Sequence, residues 1–271
     1  MSNITIVTAF YDIGRGDWKP EKGLPHYLER SVDTYIERFS HTAKLENEMV
    51  VFSTPDIIEK LRPLRAGKED KTKFVEFDPR VAYDKVREEI IKVHQDKEYQ
   101  DLIYKSQRLN PEYWNADYVL VTNLKATFVD MAIKNGLVSN DMVAWIDFGY
   151  CRDASKIPPS MKWEYDFDPN KIHLFKYHDY QEGRSLQDLV ASNDVHILGA
   201  KAVASKELWS VLSQLMNKSF QILLSHKLVD DDQTLFFISS LLNPDLFELH
   251  QIPDHQKGLD PFVLFNEFNK V

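Results

Sequence analysis

Residues 4–10 form a short, β-branched and apolar run with no helical period, the pattern of a buried strand. Over 26–39, Leu28, Val32, Tyr35, Ile36 and Phe39 recur at helical spacing, and 48–52 returns to a strand-like apolar run. The chain therefore opens with a βαβ unit. A short helix at 55–61, a third strand at 73–77 and a charge-rich amphipathic helix at 81–93 continue the alternation. Asn110 caps before Pro111 at a first helical position and Gly136 stands as a helix stop, which predicts mostly helix between them with a break near Val121. Residues 142–147 make a strand that ends in Asp147, and Gly149, Pro158, Pro159 and Pro169 then mark an irregular connection. Strands at 171–177, 195–199 and 246–252 and helices at 205–224 and 231–242 complete the pattern. The expectation is an α/β fold with a mainly parallel central sheet, helices on both faces, and a ligand site beyond the carboxyl ends of the strands.

With 271 residues, 43% of them hydrophobic and 12% aromatic, the chain is long enough to bury a large core, and no repeat or low-complexity linker divides it. One domain over 1–271 is expected. A formal net charge of −9 argues against a phosphate-tracking surface and so against a nucleic-acid partner, while leaving room for a local basic cluster around one nucleotide. The single cysteine, Cys151, excludes an internal disulfide and fits a reducing, cytoplasmic setting. No signal-peptide pattern and no run of about 18 apolar residues occurs. The apolar stretch 261–268 is a candidate docking segment, for the domain itself or for peripheral contact with a membrane.

Three polar loops carry candidate chemistry. After the first strand, Thr8-Ala9-Phe10-Tyr11 and Arg15 offer small residues, aromatics and a cation suited to a base and a phosphate, although an ordinary strand-to-helix loop explains them too. The phosphate-loop lysine and the dinucleotide glycine fingerprint are both absent, which disfavours an NTPase or a dehydrogenase. Asp147 ends a very apolar strand, where its charge needs compensation by a divalent cation, a ribose hydroxyl, Lys125 or Arg152; a structural ion pair is the plain alternative. Gly149 would let a ligand or a turn approach closely. In Asp230-Asp231-Asp232-Gln233, capping the following helix needs one acid, so Asp231 or Asp232 is a candidate general base and Gln233 a partner for a sugar hydroxyl. His250, or His255 after it, could complete a metal shell with Asp147. Cys151 beside Arg152 lacks the histidine partner that a nucleophilic cysteine wants.

Taken together, Ile4-Thr-Ile-Val-Thr-Ala-Phe-Tyr-Asp-Ile-Gly-Arg15, Thr122-Asn-Leu-Lys125 with Phe128, Trp145-Ile-Asp-Phe-Gly149 and Asp231-Asp-Gln233 resemble the HtrL/YibB (WlaTC-like) family over nearly the whole chain. The resemblance implies a GT-A-like glycosyltransferase of bacterial surface polysaccharide: lipopolysaccharide core, lipooligosaccharide or capsule. It implies a nucleotide-sugar-binding half over 1–150 and an acceptor-side half with a C-terminal tail over 151–271. Thr8, Ala9, Phe10, Tyr11 and Arg15 would embrace the nucleotide, Lys125 would lie near its phosphates, and Asp147 would hold the place of the metal-binding acid; Lys125, Arg15 or Arg152 would then stabilise the charge developing on the diphosphate. A typical acid-x-acid motif has a second carboxylate where this chain has Gly149. Gly199-Ala200 resembles the acceptor-side turn, and Asp231, Asp232 and Gln233 the stretch that supplies the catalytic acid. The implied reaction moves a sugar from a nucleotide-sugar, a UDP-sugar favoured, to a hydroxyl of a glycan or lipid-linked glycan, with Mn or Mg as a candidate cofactor. Two alternatives stand beside it: a binding or scaffold protein that has lost catalysis, and a sugar nucleotidyltransferase, which would normally use a glycine-rich triphosphate loop.

Overall fold

The computed structural model describes residues 3–180 and 183–252. Its first strand, β1 (Ile4–Ala9), is buried along its whole length, as its β-branched, largely apolar sequence suits in a strand covered on both sides. The chain continues through α1 (Val32–Thr42), β2 (Met49–Ser53), α2 (Pro55–Leu61), β3 (Thr72–Glu76) and three helices, α3 (Pro79–Ala82), α4 (Asp84–Gln95) and α5 (Lys97–Leu102). Helices α6 (Ala116–Asn123) and α7 (Lys125–Lys134) then lead to β4 (Met142–Ile146) and, after a long irregular connection, β5 (Ile172–Lys176). The last elements are α8 (Leu186–Ser192), β6 (Ile197–Ser205), α9 (Lys206–Ser225), α10 (Asp232–Leu242) and β7 (Phe247–Gln251).

The seven strands form one sheet in the order β3-β2-β1-β4-β6-β5-β7. β1 pairs in parallel with β2 and β4, β2 with β3, and β5 with β7, whereas β6 runs antiparallel to both β4 and β5. A mainly parallel sheet is thus observed, with one reversed strand in its middle. Alternate side chains divide into two cores. Ile4, Ile6, Met49, Val51, Met142, Ala144 and Ile146 face Phe39 of α1, Ile57 and Leu61 of α2, and Trp163 and Phe167 of the irregular connection. Val7, Ala9, Val50, Phe52, Val143 and Trp145 face the opposite side, against Phe128 of α7, Trp209 of α9 and Phe236 of α10. Helices on both faces follow. Among the described residues, no helix is long and apolar enough to cross a membrane.

Several boundaries differ from the sequence pattern for local reasons. The stretch 26–39 splits into a 3-10 turn, His26–Leu28, and α1, because the Ser31 hydroxyl accepts the Thr34 N–H and starts a new helix there. The helix expected at 81–93 divides at Tyr83, and the break expected near Val121 falls at Leu124, between α6 and α7. Helices α5 and α8 were not signalled, both being short segments without a sustained apolar period. The strand expected at 195–199 is longer: β6 carries Lys201 at its centre, which breaks the apolar run, yet Lys201 is fully buried with its ammonium over the rings of Tyr150 and Trp163 at 4.6 and 5.5 Å. The stretch 261–268 and His255 lie outside the described residues.

Candidate active site

Beyond the carboxyl ends of β1 and β4 lies an open cavity of about 640 Å³. Because β6 is reversed, its amino-terminal end, carrying Leu198, Gly199 and Ala200, meets the carboxyl ends of its neighbours there. The cavity gathers Ala9, Phe10, Tyr11, Arg15, Lys125, Asp147, Gly149, Arg152, Gly199, Ala200, Asp231, Asp232 and Gln233 from loops far apart in sequence. Thr8 is buried within β1 and His250 lies on β7, and neither lines it. The sequence reading missed Arg30, Tyr35, Arg38, Tyr118, Tyr150 and Tyr177, which also contribute to the wall.

Part of the cavity wall is acidic and built around Lys125. The break at Leu124 sets Lys125 at the first position of α7, from which Nζ reaches Asp232 Oδ2 at 2.8 Å, Asp147 Oδ1 at 2.9 Å and the Gly199 carbonyl oxygen at 3.0 Å. Burial alone would lower the Lys125 pKa, but the Asp147 and Asp232 carboxylates outweigh it, so the ammonium is held charged. Asp147 Oδ1 also accepts the Trp145 indole N–H at 2.8 Å. Gly199 has to be glycine, since a Cβ there would stand 2.1 Å from Asp232 Oδ2.

The three aspartates have separate duties. Asp230 accepts the Thr234 hydroxyl at 2.7 Å and the Asp231 N–H at 2.9 Å; Asp231 caps α10 by accepting the Gln233 N–H at 3.1 Å; Asp232 holds Lys125. The loop itself is tied down by the Asn123 amide on the Asp230 carbonyl and the Tyr99 hydroxyl on the Val229 carbonyl, each at 2.9 Å. Burial pushes each of the three carboxyls up to about 7, with Asp230 and then Asp147 reinforcing the effect at Asp231 and Lys125 opposing it at both Asp231 and Asp232. A carboxyl in that range at a cavity wall can exchange a proton near neutral pH. Among the described residues, the buried Tyr11 hydroxyl on the same wall has no hydrogen-bond partner, an arrangement that a bound polar ligand would relieve.

Arg15, Arg30, Arg38 and Arg152 are also on the cavity wall. Arg15 is part of the scaffold: Nη1 donates to the Tyr35 hydroxyl at 2.9 Å, Nε and Nη2 donate to the Leu28 carbonyl at 3.3 Å, and the guanidinium lies 5.0 Å from the Trp18 ring centre. Tyr35, so placed, packs its ring 4.8 Å from Phe10, which stacks on Phe148 at 4.9 Å. Burial, and then the neighbouring charges of Arg30 and Arg152, lower the Arg38 pKa. No sequence period marks Arg30 and Arg38: one precedes the cap of α1 and the other sits on its polar flank. A clue was available in Tyr35 and Arg38, whose spacing of three puts them on one helix face.

The donor set at Asp147 does not suit a divalent cation, which takes several oxygen ligands. Asp147 Oδ1 is already engaged by Lys125 and Trp145, and a Cβ at residue 149 would stand 2.7 Å from the Tyr35 ring. A cation there would stand beside the Lys125 ammonium already bonded to the same carboxylate. The expected metal pair is also not assembled, because His250 joins His173 and Glu248 where β5 and β7 pair, its Nε2 lying 2.9 Å from His173 Nδ1.

The chain belongs to the HtrL/YibB family: the family model described as "Bacterial protein of unknown function (HtrL_YibB)" matches residues 2–267. Protein HtrL of Escherichia coli strain K12 is 40% identical over 267 residues, spanning 97% of this chain and 93% of its own. A solved structure, mouse xyloside xylosyltransferase 1 in its apo form, aligns over 91% of this chain and 84% of its own, with 12% identity and a TM-score of 0.41.

Proposed function

We propose that this member of the HtrL/YibB family is a glycosyltransferase that moves a sugar from a nucleotide-sugar, in the first instance a UDP-sugar, to a hydroxyl of a bacterial surface glycan or its lipid-linked precursor. The observation that carries this reading is the mixed charge of the cavity, which brings four arginines and a set of carboxylates around Lys125 to one wall at the carboxyl ends of a mainly parallel sheet. A nucleotide-sugar has the matching polarity. Its diphosphate is anionic, and its sugar offers hydroxyls and develops oxocarbenium character as the bond to the leaving group breaks.

In this arrangement the β1 loop, Ala9 to Tyr11, receives the nucleoside, and the Tyr11 hydroxyl gains the partner it lacks. The sugar lies over Asp147, Gly199 and Ala200, with Gln233 bonding one of its hydroxyls. The acceptor oxygen attacks the anomeric carbon, the bond from that carbon to the diphosphate oxygen breaks with its electron pair going to the diphosphate, and the acceptor proton passes to Asp231. Asp231 is preferred over Asp232 as base because Asp232 is occupied by Lys125 and crowded by Gly199. Lys125 then acts by fixing Asp147 and Asp232, and Trp145 by orienting Asp147.

Thermal unfolding against nucleoside diphosphates and nucleotide-sugars tests the reading, since binding to the native state alone stabilises by about 2.7 kcal/mol at a hundredfold excess over Kd. One base with its diphosphate should raise the midpoint and the monophosphate should raise it less. If no nucleotide shifts it while glycans do, the protein is a binding module rather than a transferase.

A further inference from the structure

The arginines of the cavity wall carry more positive charge than the fold uses. Arg15 is committed to Tyr35 and the Leu28 carbonyl, but among the described residues no hydrogen bond or ion pair holds the side chains of Arg30, Arg38 or Arg152. Arg30 and Arg38 are half-buried and Arg152 is exposed. Like charges gathered in a concave wall repel one another, and the arrangement is costly without an anion to share.

The position of this group relative to Asp147 is informative. Gly149 stands two residues after Asp147, and the space its side chain would take is filled by Tyr35, with Arg38 Cδ 3.7 Å from the same point. Tyr35 is itself fixed by Arg15. Where a second carboxylate would help to hold a divalent cation, this chain has an aromatic ring and the stem of an arginine. Asp147 itself is neutralised by Lys125.

We propose that Arg30, Arg38 and Arg152 bind the donor diphosphate directly and stabilise the charge it gains on departure, so that the protein works without a divalent cation at Asp147. The inference rests on the nucleotide-sugar reading above. When the bond from the anomeric carbon to the diphosphate oxygen breaks, its electron pair adds one negative charge to the nucleoside diphosphate. The guanidinium groups remain protonated throughout and meet that charge with N–H donors that are already in place. Arginine suits this task because its fork bonds two phosphate oxygens at once and it does not lose its proton.

Calorimetric titration of the purified protein with UDP, GDP, CDP and ADP, in EDTA and again with manganese, distinguishes the outcomes. The expected result is binding of one nucleoside diphosphate with the same Kd in both buffers, weakened about tenfold or more by Arg38→Gln and by Arg152→Gln, and much less affected by Asp147→Asn. Binding that requires manganese and is lost in Asp147→Asn overturns the inference and leaves the nucleotide-sugar reading intact. Binding to none of the four in either buffer overturns both. Since Arg152 is exposed and no hydrogen bond or ion pair holds its side chain among the described residues, its variant reports on ligand binding even if Arg38→Gln loses stability.

Discussion

Replacing Lys125 by methionine keeps an unbranched apolar stem in place and removes the cation that pairs with Asp147 and Asp232. The loss divides into two parts. First, the Gly199 carbonyl and Asp147 each lose a charge-assisted donor, at 3.0 and 2.9 Å, which costs about 1–3 kcal/mol at any pH. Second, Asp232, whose side chain is 3% exposed, is left as an unpaired buried acid and escapes the penalty only by taking a proton. In the native protein Asp232 already sits up to about 7, so at pH 6 it is largely protonated and this second part is small. Each pH unit above about 7 adds roughly 1.4 kcal/mol until the raised pKa of the variant is reached. The expected cost is therefore about 1–3 kcal/mol at pH 6 and about 2.5–4.5 kcal/mol at pH 8, of the order of the loss of one partner from a buried ion pair. Urea unfolding at the two pH values measures it, with the slope unchanged if the denatured state is unaffected. Adding Asp232→Asn to Lys125→Met should restore most of the part that depends on pH. A cost below about 1 kcal/mol at pH 8, or an equal cost at both pH values, would refute the assignment of Lys125 as the counter-charge of this site.

Further outcomes follow from the same geometry. Gly199→Ala forces a methyl group to within 2.1 Å of Asp232 Oδ2, so it should cost about 1–3 kcal/mol in urea unfolding and abolish turnover, even though alanine usually favours a strand or helix over glycine. Gly149→Asp should fail to create metal dependence: it drives into Tyr35 and releases Arg15, and it is expected to weaken nucleotide binding with or without manganese in calorimetry. The carboxyls of Asp230, Asp231 and Asp232 are raised from about 4 in the unfolded chain to about 7 in the folded one, so the native state binds more protons in that window. Their contribution to stability is accordingly present in full below pH 4 and is lost as pH rises to about 7; unfolding free energy measured from pH 5 to 8 should fall, and Asp230→Asn should flatten the slope. The rate of sugar transfer should run the other way, falling below about pH 7 as the base is protonated, with an apparent pKa that belongs to the cluster and is lost from the residual activity of Asp231→Asn.

The middle of the sheet was legible because β1, β2 and β4 are buried on both faces and read as largely apolar runs bounded by turn residues; all three emerged within a residue or so at each end. β6 was only half visible, since Lys201 interrupts its pattern, and nothing in a local sequence window announces a buried lysine resting on Tyr150 and Trp163. That strand matters beyond the fold, because its reversal is what brings Gly199 to Lys125. The candidate residues of the β1 loop, Asp147 and the aspartate run were each suspected from a local oddity, an acid after an apolar strand or more acids than a cap needs. Lys125 was among the partners the sequence offered for Asp147, but the addition of Asp232 and the Gly199 carbonyl to the same ammonium was not legible, because it depends on the break at Leu124 and on steric fit at Gly199. Arg30 carried no local oddity, and Arg38 only its spacing of three from Tyr35. Arginines on the polar flank of an amphipathic helix are ordinary, and only the tertiary structure sets them beside Arg152.

The central claim, transfer from a nucleotide-sugar, is tested most directly by incubating the purified protein with single nucleotide-sugars and a bacterial surface glycan fraction and measuring the nucleoside diphosphate released. The account predicts release from one nucleotide-sugar that increases when the acceptor is added and is abolished in Gly199→Ala. No release from any nucleotide-sugar, with the glycan fraction present and the protein folded, would contradict it.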